Sequence, residues 1–211
     1  MMKTLIIGAT GQIGKMTTQK MLQTGHQVVA LARNKDKLAD IHSPHLSVVE
    51  QDLENNFSHA FKDCELVIFT AGSGGGTSAD KTMLIDLWAA VKAINYAKQH
   101  SVQHFIMVSS IGADAPDNIE SSIKPYLVAK HMADQYLLSS GLKYTILRPG
   151  TLLNEPASKR FSFKRPHSRA DAVISRENVA EALNFVATES PNDSIIVELF
   201  DGDSKLESFF H

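Results

Sequence analysis

The chain has 211 residues, 43% of them hydrophobic and 21% charged, with a formal net charge of −2. That is the bulk of one globular domain whose core can be covered on both faces, and the near-neutral balance offers no global attraction to nucleic acid or an anionic membrane. No apolar run approaches the ~20 residues of a membrane span. A first strand opening at residue 3 leaves no room for a targeting peptide. The single cysteine, Cys64, cannot form an internal disulfide and has no metal-ligand spacing around it, and the nine histidines form no paired ligand motif. These features predict a cytoplasmic chain without a metal, acting on a small molecule as a monomer or homodimer.

The first predicted element is the apolar run Leu5-Ile6-Ile7, which leads without a gap into Gly8-Ala9-Thr10-Gly11-Gln12-Ile13-Gly14 and then into helical periodicity. Strand, glycine turn and helix in that order make a dinucleotide-binding turn. Backbone N–H groups and the positive end of the helix dipole reach a pyrophosphate only where no β-carbon stands between them. Gly8 is assigned the tight turn, Gly11 the approach of the pyrophosphate and Gly14 the packing of helix on strand, with Thr10, Gln12 and Ile13 completing the cradle. A triphosphate-binding loop fits poorly, because Ala9 stands at the place of its first glycine and Met16 where a metal-ligating hydroxyl is required.

Further runs at 28–31, 46–49, 66–69, 105–108, 144–147 and 195–199 read as short buried strands separated by helical stretches. They predict an α/β fold: one Rossmann-type doubly wound parallel sheet with helices on both faces, ligand at the carboxyl ends of its strands, and a small C-terminal lid at 151–170. Nineteen residues after Gly14, at the end of the second strand, an NAD site has a carboxylate for the ribose 2′-hydroxyl, and this chain has Arg33. A guanidinium holds a 2′-phosphate with two charge-assisted bonds, and Asn34, Lys35 and Lys37 follow, so NADP is predicted over NAD. Asp52, with Leu53 beside it, is placed near the adenine amino group. Ala71 and the loop from Gly72 to Gly76 are placed along the adenosine half. In the helix over 81–99, Leu84, Leu87, Trp88 and Val91 share a face and are predicted to be core.

Ser109 and Ser110 end the fifth strand, and Tyr126 and Lys130 follow at a spacing that puts phenol and ammonium on one helix face. Bringing a tyrosine pKa down two or three units from near 10 takes roughly 3–4 kcal/mol, which Lys130 and a cationic nicotinamide ring can supply. Tyr126 would then exchange a proton with a substrate oxygen held by Ser110, with hydride coming from the cofactor. The basic segment 159–169 is expected to form a hairpin-like lid or a solvated face, Ser175 to cap a helix, and Phe209 and Phe210 to pack on the body or join an interface.

Together, the turn at 8–14, Asp52-Leu53, Val108-Ser109-Ser110, Tyr126 with Lys130, and Leu147-Arg148-Pro149-Gly150 resemble the short-chain dehydrogenase/reductase superfamily over nearly the whole chain. The form of the turn, the short tail and the stretch 175–179 are most similar to its atypical branch of NADP-binding epimerases and reductases, near biliverdin and flavin reductases. The resemblance implies that Ser110 is the family's serine, with Ser109 beside the cofactor, and that Pro149, Gly150 and Thr151 line the nicotinamide pocket. It also puts Asp86 where the main branch carries asparagine. A carboxylate there would stabilise the Lys130 ammonium and cancel much of the field that acidifies Tyr126. An NADP(H)-dependent reductase of a small carbonyl or conjugated substrate is the implied activity. A non-catalytic NADP sensor is the alternative; an epimerase or dehydratase is a lesser one, since only about sixty residues follow Gly150.

Overall fold

The computed structural model describes residues 2–74, 76–189 and 193–210. The apolar runs become strands β1 (Lys3–Ile7), β2 (Gln27–Ala32), β3 (Leu46–Glu50), β4 (Leu66–Phe69), β5 (His104–Val108), β6 (Tyr144–Pro149) and, after the short β7 (Thr151–Leu153), β8 (Phe161–Ser162) and β9 (Val173–Ser175), the long β10 (Ile195–Asp201). Between them lie helices α1 (Gln12–Gln23), α2 (Ala79–Lys81), α3 (Ala89–Gln99), α4 (Lys124–Leu138) and α5 (Arg176–Glu189). The main sheet runs β3-β2-β1-β4-β5-β6-β10-β8. Its pairings are parallel except for β8, which lies antiparallel to β10. This is the doubly wound sheet that alternating strand and helix patterns predict.

Side-chain alternation along the strands divides the core in two. Leu5, Ile7, Val67, Phe69, Phe105 and Met107 pack toward α3 and α4. Ile6, Val28, Ala30, Ile68, Ile106 and Val108 pack toward α1 and α5. The chain leaves β1 for β2 on one side and comes back to β4 on the other, so the strand order reverses between β1 and β4. A doubly wound sheet binds its ligand outside the carboxyl ends at such a point, and here that places Gly8 next to the loop that starts at Thr70.

Three local expectations change. The run at 46–49 is an edge strand bonded only to β2, and Val48 is 39% exposed rather than buried. The stretch 81–99 is not one α-helix, because Thr82–Trp88 winds as a π-helix between α2 and α3. That wider turn re-phases the buried face. Asp86 goes inside at 1% exposure, whereas Leu84 and Trp88 come out, Trp88 to 52%, and of the four predicted core residues only Val91 is fully buried. The basic segment does not pair with itself as a hairpin. Phe161–Ser162 instead joins the sheet edge, Phe163 stacks on Phe209 with centroids 4.3 Å apart, and Phe210 is buried beside Phe185, so the terminal aromatics pack on the body. No helix among the described residues is long and apolar enough to cross a membrane.

Candidate functional site

The glycine turn is built as its spacing demands. Gly8 sits at φ +87°, and a β-carbon there would stand 2.7 Å from the Ala71 nitrogen; one at Gly14 would stand 2.3 Å from the Gly8 carbonyl oxygen. Both glycines therefore let β1, the β4 loop and α1 close on one another. Gly11 differs. Its φ is −70°, it is exposed, and a β-carbon would meet only the Gly8 oxygen at 3.3 Å. It caps α1 without a side-chain hydrogen bond, and the first turn carries no acidic residue. The N–H groups of Gln12, Ile13 and Gly14 precede the first intrahelical bond, Lys15 to the Gly11 carbonyl, and so are free to bind an anion. Gln12 is exposed, Thr10 half-buried, and the Ile13 side chain packs on the core, leaving its backbone for the ligand. These residues fit a dinucleotide pyrophosphate.

Toward the adenosine half, Arg33 follows β2, is exposed, and makes no ion pair among the described residues. The Asn34 side-chain oxygen accepts from the Asp36 N–H at 2.8 Å and so caps the short helix Lys35–Leu38. Asp52 likewise accepts from the Glu54 N–H at 2.8 Å, and Leu53 is buried. Lys92 holds that loop by donating to the carbonyls of Leu53, Glu54 and Asn55. Ala71 is buried against Gly8, and Gly72 leaves room for Asp86, whose Oδ1 would stand 3.0 Å from a β-carbon there.

At the carboxyl end of β5, Lys130 joins the side chains expected to be catalytic. It is 4% exposed; its Nζ donates to the Val108 carbonyl at 3.2 Å, lies 3.4 Å from Asp86 Oδ1, and stands 5.7 Å from the centroid of the Tyr126 ring. Burial pulls the Lys130 pKa down, but Tyr126, Asp86 and Asp134 together outweigh it and hold the ammonium above its ordinary value. Asp86 is also a strut. Its Oδ2 accepts from the Ser73 N–H at 3.0 Å, which ties the loop after β4 through Lys130 to α4. Tyr126 is half-buried and makes no hydrogen bond among the described residues, so its hydroxyl is available.

The two serines separate. Ser109 is 2% exposed and donates to Asp134 Oδ2 at 2.9 Å, so its hydroxyl is occupied inside the protein. Ser110 is half-buried and donates only to the adjacent Ile111 carbonyl, at 3.2 Å. Pro149 accepts from the Ile111 N–H at 3.0 Å, and Thr151 donates to Ala172 at 2.7 Å as β7 pairs with β9, so 149–151 is held between the β5 loop and the turn ending at Ala172. Arg165 ion-pairs with Asp114 at 2.9 Å and with Glu198, which fastens the basic segment to that same β5 loop.

Spacing arguments passed over Asp134 and Arg148. Arg148 lies inside the Leu147–Gly150 motif, but nothing in either residue's neighbours signals that strand and helix bring them into a buried ion pair. Among the described residues no metal-binding cluster is present, and burial pushes the Cys64 thiol up to about 11, leaving it inert.

The model of the NAD(P)H-binding family matches residues 8–190. A Bacillus subtilis (strain 168) protein named as an uncharacterized sugar epimerase, YhfK, is 38% identical over 209 residues, 97% of each chain. Among solved structures, the oxidoreductase ylbE from Lactococcus lactis superposes with a TM-score of 0.85 at 26% identity, covering 100% of this chain and 99% of that one. ChuY from Escherichia coli O157:H7, described as an anaerobillin reductase, shares the fold with a TM-score of 0.79 at 24% identity, covering 96% and 98%.

Proposed function

This chain belongs to the NAD(P)H-binding family, and from that premise we propose that it is an NADP(H)-dependent reductase of a small carbonyl or conjugated substrate. One observation carries the reading: Lys130 is bonded to the carbonyl two residues before Ser110 and sits 5.7 Å from the Tyr126 ring, while the Tyr126 and Ser110 hydroxyls keep access to solvent. The turn at 8–14 and the start of α1 would hold the pyrophosphate, and Arg33 a 2′-phosphate. Asp52, Leu53, Ala71 and Gly72 border the adenosine half. Ser109, Lys130, Pro149, Gly150 and Thr151 border the nicotinamide half.

When bound, the nicotinamide supplies the hydride. Ser110 donates a hydrogen bond to the substrate oxygen, orienting it and stabilising the negative charge that develops there. Tyr126 delivers its phenolic proton to the same oxygen, and the Lys130 ammonium favours loss of that proton. Asp86 pairs with the Lys130 ammonium and holds it beside the Tyr126 ring.

The relatives' names include both an epimerase and an oxidoreductase. We take the reductase reading because the Tyr126 hydroxyl is unbonded among the described residues and Ser110 donates only to its neighbour's carbonyl, beside a buried Lys130. The test is NADPH oxidation with a panel of carbonyls, quinones and flavins. Turnover of one class above the uncatalysed rate is expected. Tight NADPH binding with no turnover of any would overturn the reading in favour of a sensor.

A further inference from the structure

Beneath the reactive centre lies a buried ion pair that the reaction as described does not use. Asp134 on α4 is 0% exposed and Arg148 on β6 is 8% exposed. Asp134 Oδ2 accepts from Arg148 Nε at 3.0 Å, from Arg148 Nη2 at 2.9 Å and from Ser109 Oγ at 2.9 Å, whereas its Oδ1 is buried without a hydrogen-bond partner. Burying two ions is costly, and fixing one serine hydroxyl could be done with neutral groups.

The charges around the pair point to a second task. Tyr126, Lys130 and Asp134 follow one another at four-residue intervals along one face of α4. Asp86 approaches Lys130 from the π-helix, and Arg148 approaches Asp134 from β6. Asp114, from the β5 loop, feels the charge of Arg148 and is itself paired with Arg165. The buried row Asp86, Lys130, Asp134, Arg148 therefore alternates in sign and sums to zero. Tyr126, next on the same face and without a hydrogen bond among the described residues, is a titratable group placed to feel an imbalance, with His131 on the same helix and the Lys124–Asp117 pair near its start as further titratable and charged neighbours.

We propose that Asp134, held by Arg148, is a positioning residue of the reaction: it occupies the Ser109 hydroxyl so that Ser110 alone faces the substrate, and its charge balances that of Arg148 as Asp86 balances Lys130, leaving no net charge in the row beside Tyr126. The inference rests on the reading of Tyr126 as proton donor. It can nonetheless be tested without turnover, because tyrosinate has its own ultraviolet absorbance.

In the full chain, the titration of Tyr126 is obtained by subtracting the curve of Tyr126→Phe from that of the parent. Eight residues of helix separate Tyr126 from Asp134, about 12 Å. A unit charge at that distance, through an effective dielectric near 20, moves a midpoint by roughly 0.5–1 pH unit. Asp134→Asn should shift it that far toward acid, and Asp134→Asn with Arg148→Met, which removes one charge of each sign, should bring it back to the parent value. Arg148→Met alone should shift it toward base, which keeps the proposal open to refutation should Asp134→Asn not fold. A folded single variant with an unchanged midpoint overturns the proposal, as does a double variant that shifts as far as Asp134→Asn. If the midpoints move as expected while the parent oxidises NADPH with no substrate, the fault lies with the reductase reading and not with the charge row. Where turnover is found, the basic limb of its pH profile should move with the midpoint.

Discussion

Arg33 is the side chain proposed to select the nucleotide. It stands in solvent at the end of β2 with no carboxylate bound to it among the described residues, so its charge is not already spent on the protein. A charge-assisted bond to a 2′-phosphate contributes roughly 1.5–3 kcal/mol. The parent should bind NADP(H) more tightly than NAD(H), and Arg33→Ala should reduce that preference by about ten- to hundredfold, measured by calorimetry with both nucleotides. Equal affinities in the parent would remove Arg33 from this role. The expectation for Arg33 comes from its position relative to the glycine turn, and the exposed guanidinium, unpaired among the described residues, is compatible with it. Ser110 was expected on the substrate, and the structure leaves it half-buried with only the adjacent Ile111 carbonyl as partner among the described residues. That Ser109 spends its hydroxyl on Asp134 was not legible, because the bond spans 25 residues and depends on how α4 lies over β5.

At the level of elements, the three glycines of the turn are not equivalent, and the difference makes a prediction. Gly8 and Gly14 are required by the protein's own backbone, since β-carbons there would overlap Ala71 and the Gly8 carbonyl. Gly11 has an ordinary φ and a β-carbon there would meet only the Gly8 carbonyl oxygen, at 3.3 Å, so a small shift of the turn admits a side chain, which would stand where the proposed pyrophosphate lies. Gly11→Val should keep the circular dichroism and melting behaviour of the parent while losing measurable NADP affinity. Retained affinity in the folded variant would contradict the phosphate cradle. The strands and α1 were readable from two-residue alternation and from the glycine punctuation. The π-helix was not, because a 3.6-residue period assumes regular winding, and one wide stretch at Thr82–Trp88 carried Trp88 outward and Asp86 inward. The pairing of Phe161–Ser162 with β10 was equally hidden, since two residues hold too little pattern to announce a strand.

Across the whole molecule, both faces of the sheet are packed, and a polar group caught in that packing links fold stability to pH. His104 is 2% exposed on β5, with Nε2 2.9 Å from Thr145 Oγ1 on β6 and Nδ1 without a hydrogen-bond partner. Burial first, and Lys143 after it, lower its pKa from 6.5 to about 4. Between those values the unfolded chain takes up a proton that the folded chain refuses, so stability is full above pH 6.5 and falls as the pH drops toward 4, by about 3 kcal/mol in all. His26, lowered chiefly by burial, acts in the same direction. The urea midpoint of His104→Gln should therefore fall less between about pH 7 and about pH 5 than that of the parent, and equal falls would show that His104 does not carry the effect. Fold and cofactor class follow from features spread over the entire chain, whereas the proposed chemistry rests on one phenol. Single-turnover NADPH oxidation in Tyr126→Phe, with nucleotide affinity measured on the same protein, is therefore the most direct experiment. NADPH affinity should be unchanged and hydride transfer slower by ~10²–10⁴, the usual range for losing a positioned acid. Oxidation as fast as in the parent would contradict the role of Tyr126 as proton donor.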